Sequence, residues 1–113
     1  MKKALVLMLA AAAFPLVLRA ETWKSVPLMD AACASKADMK ANPDAHTLKC
    51  AKQCDQAGYG IITKDGAFLA FDKAGNTQIE AALKATKKAD HLRVDVEGEK
   101  KGNEIAVQSV SLN

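Results

Sequence analysis

Between Leu92 and Glu97 the chain alternates strictly: Leu92, Val94 and Val96 are apolar, while Arg93, Asp95 and Glu97 are charged. A period of two belongs to a β-strand with one face in a core and the other in water, and it requires a second surface to cover the apolar side. The segments around it read the same way. Residues 59–63 and 67–71 are β-prone and flank Lys64-Asp65-Gly66, and an Asp-Gly between two such runs signals a hairpin. A further strand begins after Gly102, with Ile105 and Val107 in one phase and Val110 and Leu112 in the other. A one-residue slip would turn half of that apolar set outward, so the sequence predicts a bulge near Gln108 and Ser109. At the start of the region, Val26 and Leu28 fall on one face of a first strand and Trp23, Ser25 and Met29 on the other. Pro27, which has no N–H to donate, places that strand at an edge or a bulge.

Two helices fit between these strands. Asn42 as cap, Pro43 at the first position, Asp44 behind it and Gly58 past the end predict one over residues 43–57. Thr77 and Glu80 have capping-box spacing and predict the start of a second, with Ile79, Ala82, Leu83 and Thr86 on one side and Lys87 and Lys88 at its end. Residues 31–42 show no clear period and read as a connection. The resulting order is strand, helix, two strands, helix, two strands. Apart from the first helix, this is the order of an OB-type barrel, five strands with a helix between the third and fourth. An open α+β sheet with both helices on one face would give the same linear order.

Lys2 and Lys3 precede an apolar run, residues 4–18, that ends near Ala20. This is the pattern of a secretory signal peptide over residues 1–20, leaving residues 21–113 as one small domain. The run is shorter than the ~20 apolar residues a membrane span needs, and Pro15 interrupts it, so no retained span is expected. The expected location is therefore the periplasm or the exterior. Of 16 basic residues against 13 acidic ones, Lys2, Lys3 and Arg19 belong to the leader, so the mature chain is formally neutral at 13 against 13. Nucleic-acid binding depends on an excess of clustered Lys and Arg, which a neutral chain lacks. Lys84, Lys87 and Lys88 do cluster, as a solvated helix end would.

The chemistry concentrates in His46, Cys50 and Cys54, spaced four apart so that one face of a helix would carry all three, with Cys33 upstream. That face offers little apolar area, only these residues with Ala51 and Ala57, so a covalent or metal tether would compensate for the missing burial. A Cys3His set of Cys33, His46, Cys50 and Cys54 suits Zn(II) or Cu(I) rather than a hard cation. Export equally favours a disulfide. Residues four apart on a helix place Cβ atoms ~5–6 Å apart, too far for the ~3.5–4.5 Å of a bridge, so such a bridge would join Cys33 to Cys50 or Cys54. Three is an odd number, so one thiol is left over. Simple burial of thiols is the third reading. Catalysis has less support, because no C-x-x-C is present and no third group orients a Cys–His pair. His91 reads as a solvated histidine. Trp23, Tyr59, Phe68 and Phe71 could form a stacking surface, but core packing is their simpler use.

The string Asp30-Ala-Ala-Cys33, followed by His46-x-x-x-Cys50-Ala51-x-x-Cys54, Gly58, Asp65-Gly66, Phe71-Asp72, Gly75-Asn76 and a V-x-V-x-G, resembles a group of small exported bacterial proteins of unknown function with OB-fold-like barrels. The resemblance spans nearly the whole mature chain. It implies the fold and export, and no activity. The expected function is thus an exported binding module with a candidate soft-metal site, or a disulfide-stapled module that binds a small ligand or a protein.

Overall fold

The computed structural model describes residues 20–113. Apart from Ala20, the leader expected over residues 1–20 lies outside them. Five strands, β1 (Glu21–Asp30), β2 (Tyr59–Ile62), β3 (Phe68–Phe71), β4 (Arg93–Lys101) and β5 (Glu104–Leu112), close into a barrel in the order β1-β2-β3-β5-β4. Closure depends on β1, whose first part pairs antiparallel with β4 while its last three residues pair with β2. The β1–β4 ladder excludes the open-sheet alternative. Helix α4 (Lys73–Ala85) lies between β3 and β4, where an OB-type barrel has its helix. Among the described residues no helix is long and apolar enough to cross a membrane.

The alternation read from the sequence sets the core. Leu28, Ile61, Val94, Val96 and Ile105 are fully buried inside the barrel with Tyr59, Leu69, Phe71 and Leu92, and Ile79 and Leu83 of α4 close one end. Tyr59 and Phe71 thus pack in the interior rather than forming a stacking face. The predicted bulge is present: Glu97 pairs with Ser109 and Gly98 with Val107, so Gln108 is the extra residue and both apolar sets of β5 point inward. A second irregularity lies in β1 between Trp23 and Val26, where Ser25 takes φ 52° and its N–H donates to Asp95 Oδ1 at 2.8 Å. Pro27 follows this bulge, near the point where β1 changes partner.

The helices depart from expectation. Residues 31–42 are a pair of short helices, α1 (Ala31–Ala34) and α2 (Ala37–Ala41), rather than a plain connection. They cover an outer pocket of apolar residues, Met29, Ile62, Cys33 and Ala34, with Met39 and Phe68 at its edge. The expected continuous helix over 43–57 is broken into a 3-10 turn (Pro43–Ala45), α3 (Leu48–Gln53) and a second 3-10 turn (Asp55–Ala57). Asn42 makes no side-chain cap; Thr47 does, its Oγ1 accepting from the Cys50 N–H at 3.1 Å. Arg93 fixes the break by gripping Asp44 with two nitrogens, at 3.2 and 2.8 Å, which holds the Asp44 carboxyl below its usual range. Gly58, at φ +84°, turns the chain into β2, a conformation that only glycine adopts freely.

Helix α4 starts five residues before the expected capping box. Asp72 is the cap, its Oδ1 accepting from Gly75 N–H at 3.0 Å and from Val107 N–H at 3.3 Å, which ties helix to barrel. Thr77 lies inside the helix and donates back to the Lys73 carbonyl. The Gly75-Asn76 pair, which resembles a turn, serves packing instead: a Cβ on Gly75 would lie 2.5 Å from Val107 Cγ2 and 2.8 Å from Phe71 Cβ. Gly75→Ala separates these influences. Helix propensity alone would make alanine better by ~1 kcal/mol, whereas overpacking costs ~1–3 kcal/mol. Urea unfolding should show net destabilisation; a more stable variant would mean that α4 does not press on β5 as described.

Candidate metal centre

The last residue of β1 begins the site. Asp30 follows the inward-facing Leu28 in the strand alternation, but the strand ends there and its carboxylate turns to cap α1, Oδ2 accepting the Cys33 N–H at 2.9 Å. The cap explains the Asp-Ala-Ala-Cys string: an N-cap aspartate satisfies a free N–H three residues on, which places the Cys33 side chain beside the same carboxylate. Asp30 is 0% exposed and Cys33 9%.

His46 meets the same carboxylate at its other oxygen. It sits in extended conformation between the first 3-10 turn and the α3 cap, with Nε2 2.5 Å from Asp30 Oδ1 and its side chain fully buried. Two links hold the loop there: the Asp44–Arg93 pair before His46, and the Leu48 N–H bonded to the Ala89 carbonyl at 2.8 Å after it. Asp30, Cys33 and His46 each offer a ligand atom, and these atoms all lie within 4.8 Å of one another. His46 Nδ1 is buried with no hydrogen-bond partner. In the neutral ring that donates Nε2–H to Asp30, Nδ1 is an available lone pair.

The four residues expected as a set are therefore placed unequally. Cys33 and His46 are brought together, with Asp30 as a neighbour that the ligand reading of the sequence omitted. Cys50 and Cys54 lie outside the 4.8 Å cluster, half-buried on α3 and at its C-terminal cap. His46 does not share their helical face, because the helix begins after it. Cys54 still feels the site: partial burial, the Asp30 carboxylate and Cys50 all raise its thiol. The three cysteines are free thiols. The signal that marks Asp30 is its position three residues before a cysteine at a strand end, where a capping carboxylate is the expected residue.

Electrostatics within the cluster are consistent. Burial pushes the Asp30 carboxyl up, but the hydrogen bonds from the Cys33 N–H and from His46 outweigh it and hold the group below its usual range. Burial, reinforced by the adjacent carboxylate, pushes the Cys33 thiol up to about 11. A nucleophilic cysteine is favoured by the opposite shift. A cation would reverse this, because its own charge displaces the thiol proton. His91, expected to be solvated, lies exposed outside β4 at φ 51° and is bonded to Asp90.

Asp30 thus joins three roles: cap, partner of His46 and neighbour of Cys33. Asp30→Asn should cost about 2 kcal/mol at neutral pH, the scale for hydrogen bonds to a charged group. Since folding lowers this carboxyl, its contribution is whole above its ordinary value near 3.8 and is lost as the pH falls through the lower folded value. The stability gap between wild type and Asp30→Asn should therefore narrow in acid. Equal stability of the two at pH 7 would remove Asp30 from the centre of the site. Compared with family models, characterised proteins and solved structures, the chain matches none, so its chemistry has to be argued from these residues.

Proposed function

We propose that this protein is an exported binding module that takes up a soft metal ion, Zn(II) or Cu(I), at Cys33 and His46. The observation that carries the reading is the buried, unpartnered Nδ1 of a histidine whose other nitrogen is fixed by a carboxylate. Histidines that ligate metals characteristically donate their second ring N–H to a carboxylate, which sets both tautomer and ring orientation. Asp30 fills that role. A thiol and an imidazole favour a soft or borderline ion over Ca or Mg. Cys54, whose thiol also feels the Asp30 carboxylate, is the third ligand of this reading, and Cys50 is not needed. Three protein ligands leave a fourth position open to water or to a further ligand. The resemblance to small exported proteins, together with the Lys-apolar-small leader, supports the location.

Metal content of protein purified from the periplasm tests the proposal. Near-stoichiometric zinc or copper is expected, with strong loss in Cys33→Ser and His46→Ala and retention in Cys50→Ser. Metal loss should also lower the melting temperature, because ligand binding contributes folding energy. Metal-free protein that does not take up either ion when reconstituted would refute the reading.

A second reading starts from the Asp30 carboxylate acting on both Cys33 and Cys54: if the two sulfurs close on each other, oxidation in the periplasm would join them and leave Cys50 as the odd thiol. The protein would then be a disulfide-stapled module that binds a ligand or a protein without metal. A thiol count on the same preparation distinguishes the two. One free thiol without metal supports the staple; three thiols after metal removal support the metal centre.

A further inference from the structure

Helix α3 and the segment after α4 form the two walls of a groove of about 730 Å3, with Thr47, the neighbour of His46, among its lining residues. Lys49 and Lys52 project from one wall, Lys87 and Lys88 from the other, and Leu48 and Ala89 contribute its apolar part. The walls are joined by the Leu48 N–H to Ala89 carbonyl bond, and Thr86 Oγ1 accepts from the Lys88 N–H at 3.2 Å. The groove is therefore built before any ligand arrives. A smaller depression shares Lys52 with it and is lined also by Tyr59, Glu80, Leu83 and Lys84, so the excess of positive charge belongs to the larger groove.

The charge is concentrated here against the trend of the domain. The described residues balance 13 basic against 13 acidic side chains, yet four ammonium groups line this groove with a single carboxylate, Asp90. Asp90 is already bonded to His91 Nδ1 at 3.0 Å. Among the described residues none of the four lysines is in an ion pair. Four like charges lining one open groove repel, and an anionic ligand relieves that repulsion while the apolar part accepts a hydrocarbon group.

We propose that this groove binds an acidic peptide segment of a partner protein, with an aliphatic side chain resting on Leu48 and carboxylates on both sides of it meeting Lys49, Lys52, Lys87 and Lys88. Peptide fits better than the other polyanions. The groove presents no aromatic side chain on which a base could stack, and the neutral domain offers no extended basic track for a phosphate backbone. Leu48 is half-buried against the core, so it cannot insert into a bilayer as a membrane anchor would. The inference is independent of the metal centre.

The test titrates isotopically labelled protein, residues 21–113, with acetyl-Glu-Glu-Leu-Glu-Glu-amide to millimolar concentration and follows backbone amide shifts. Shifts should be confined to residues 47–53 and 84–90, and the affinity should fall steeply with added salt. Lys49→Glu combined with Lys87→Glu should weaken binding at least about tenfold, as charge reversal at a steered site does. Both lysines are exposed, so the amide spectrum should show an intact fold. Lys100→Glu with Lys101→Glu, at the exposed end of β4, should leave binding unchanged. Absence of shifts, shifts elsewhere, or indifference to the Lys49 and Lys87 reversals would overturn the proposal. So would duplex DNA or phosphatidylglycerol vesicles shifting these residues when the peptide does not.

Discussion

A single buried carboxylate organises the segment on which function depends. Asp30 is fully enclosed, and a charge in that position is tolerable only if it is paired and hydrogen-bonded. The α1 N-terminus and His46 supply those bonds, from residues 3 and 16 positions further along the chain. Neither interaction adds much hydrophobic burial. Their effect is to specify geometry: the chain from Ala31 to Thr47 has few large apolar side chains, and the Asp30–His46 contact pins its far end to the barrel. The Asp44–Arg93 pair then fixes the same loop to β4.

The barrel was written in the sequence more clearly than the site was. Strict alternation at Leu92–Val96 and the phase change at Gln108 reflect burial on one face of a strand, a local consequence of a global arrangement that leaves a direct trace. Asp65-Gly66 does the same for the hairpin, with Gly66 at φ +87°. The helices were harder, because their boundaries depend on tertiary contacts. Thr77 and Glu80 satisfy a capping rule that Asp72 satisfies better, through a bond to β5 that no local pattern reveals. Gly75 looks like a turn residue, yet its missing Cβ admits Val107.

His46 illustrates the same limit at the site. Spacing by four is a helical argument, and it fails where the chain is not helical. The pull of Asp30 on the imidazole and of Arg93 on Asp44 takes residues 44–47 out of the helix that Pro43 and Gly58 bracket in the sequence. What survives from the sequence is the chemistry: Cys33 and His46 do meet, and the thin apolar stripe of α3 leaves Cys50 and Cys54 half-buried. What was missing is Asp30, a residue whose role depends on a strand ending where a helix begins. The lysines near residue 87 likewise read as a solvated helix end until α3 places Lys49 and Lys52 opposite them.

The central claim is that Asp30 holds the His46 ring so that Nδ1 is presented to a metal ion. Long-range 1H–15N correlation spectra of the His46 ring, recorded on metal-free reduced protein and again after adding one equivalent of Zn(II), test it directly. The account predicts a neutral ring protonated at Nε2 in the metal-free state and a change at Nδ1 from free lone pair to metal ligand on addition of zinc. A ring protonated at Nδ1, or one whose two nitrogens are unaffected by the ion, would contradict it.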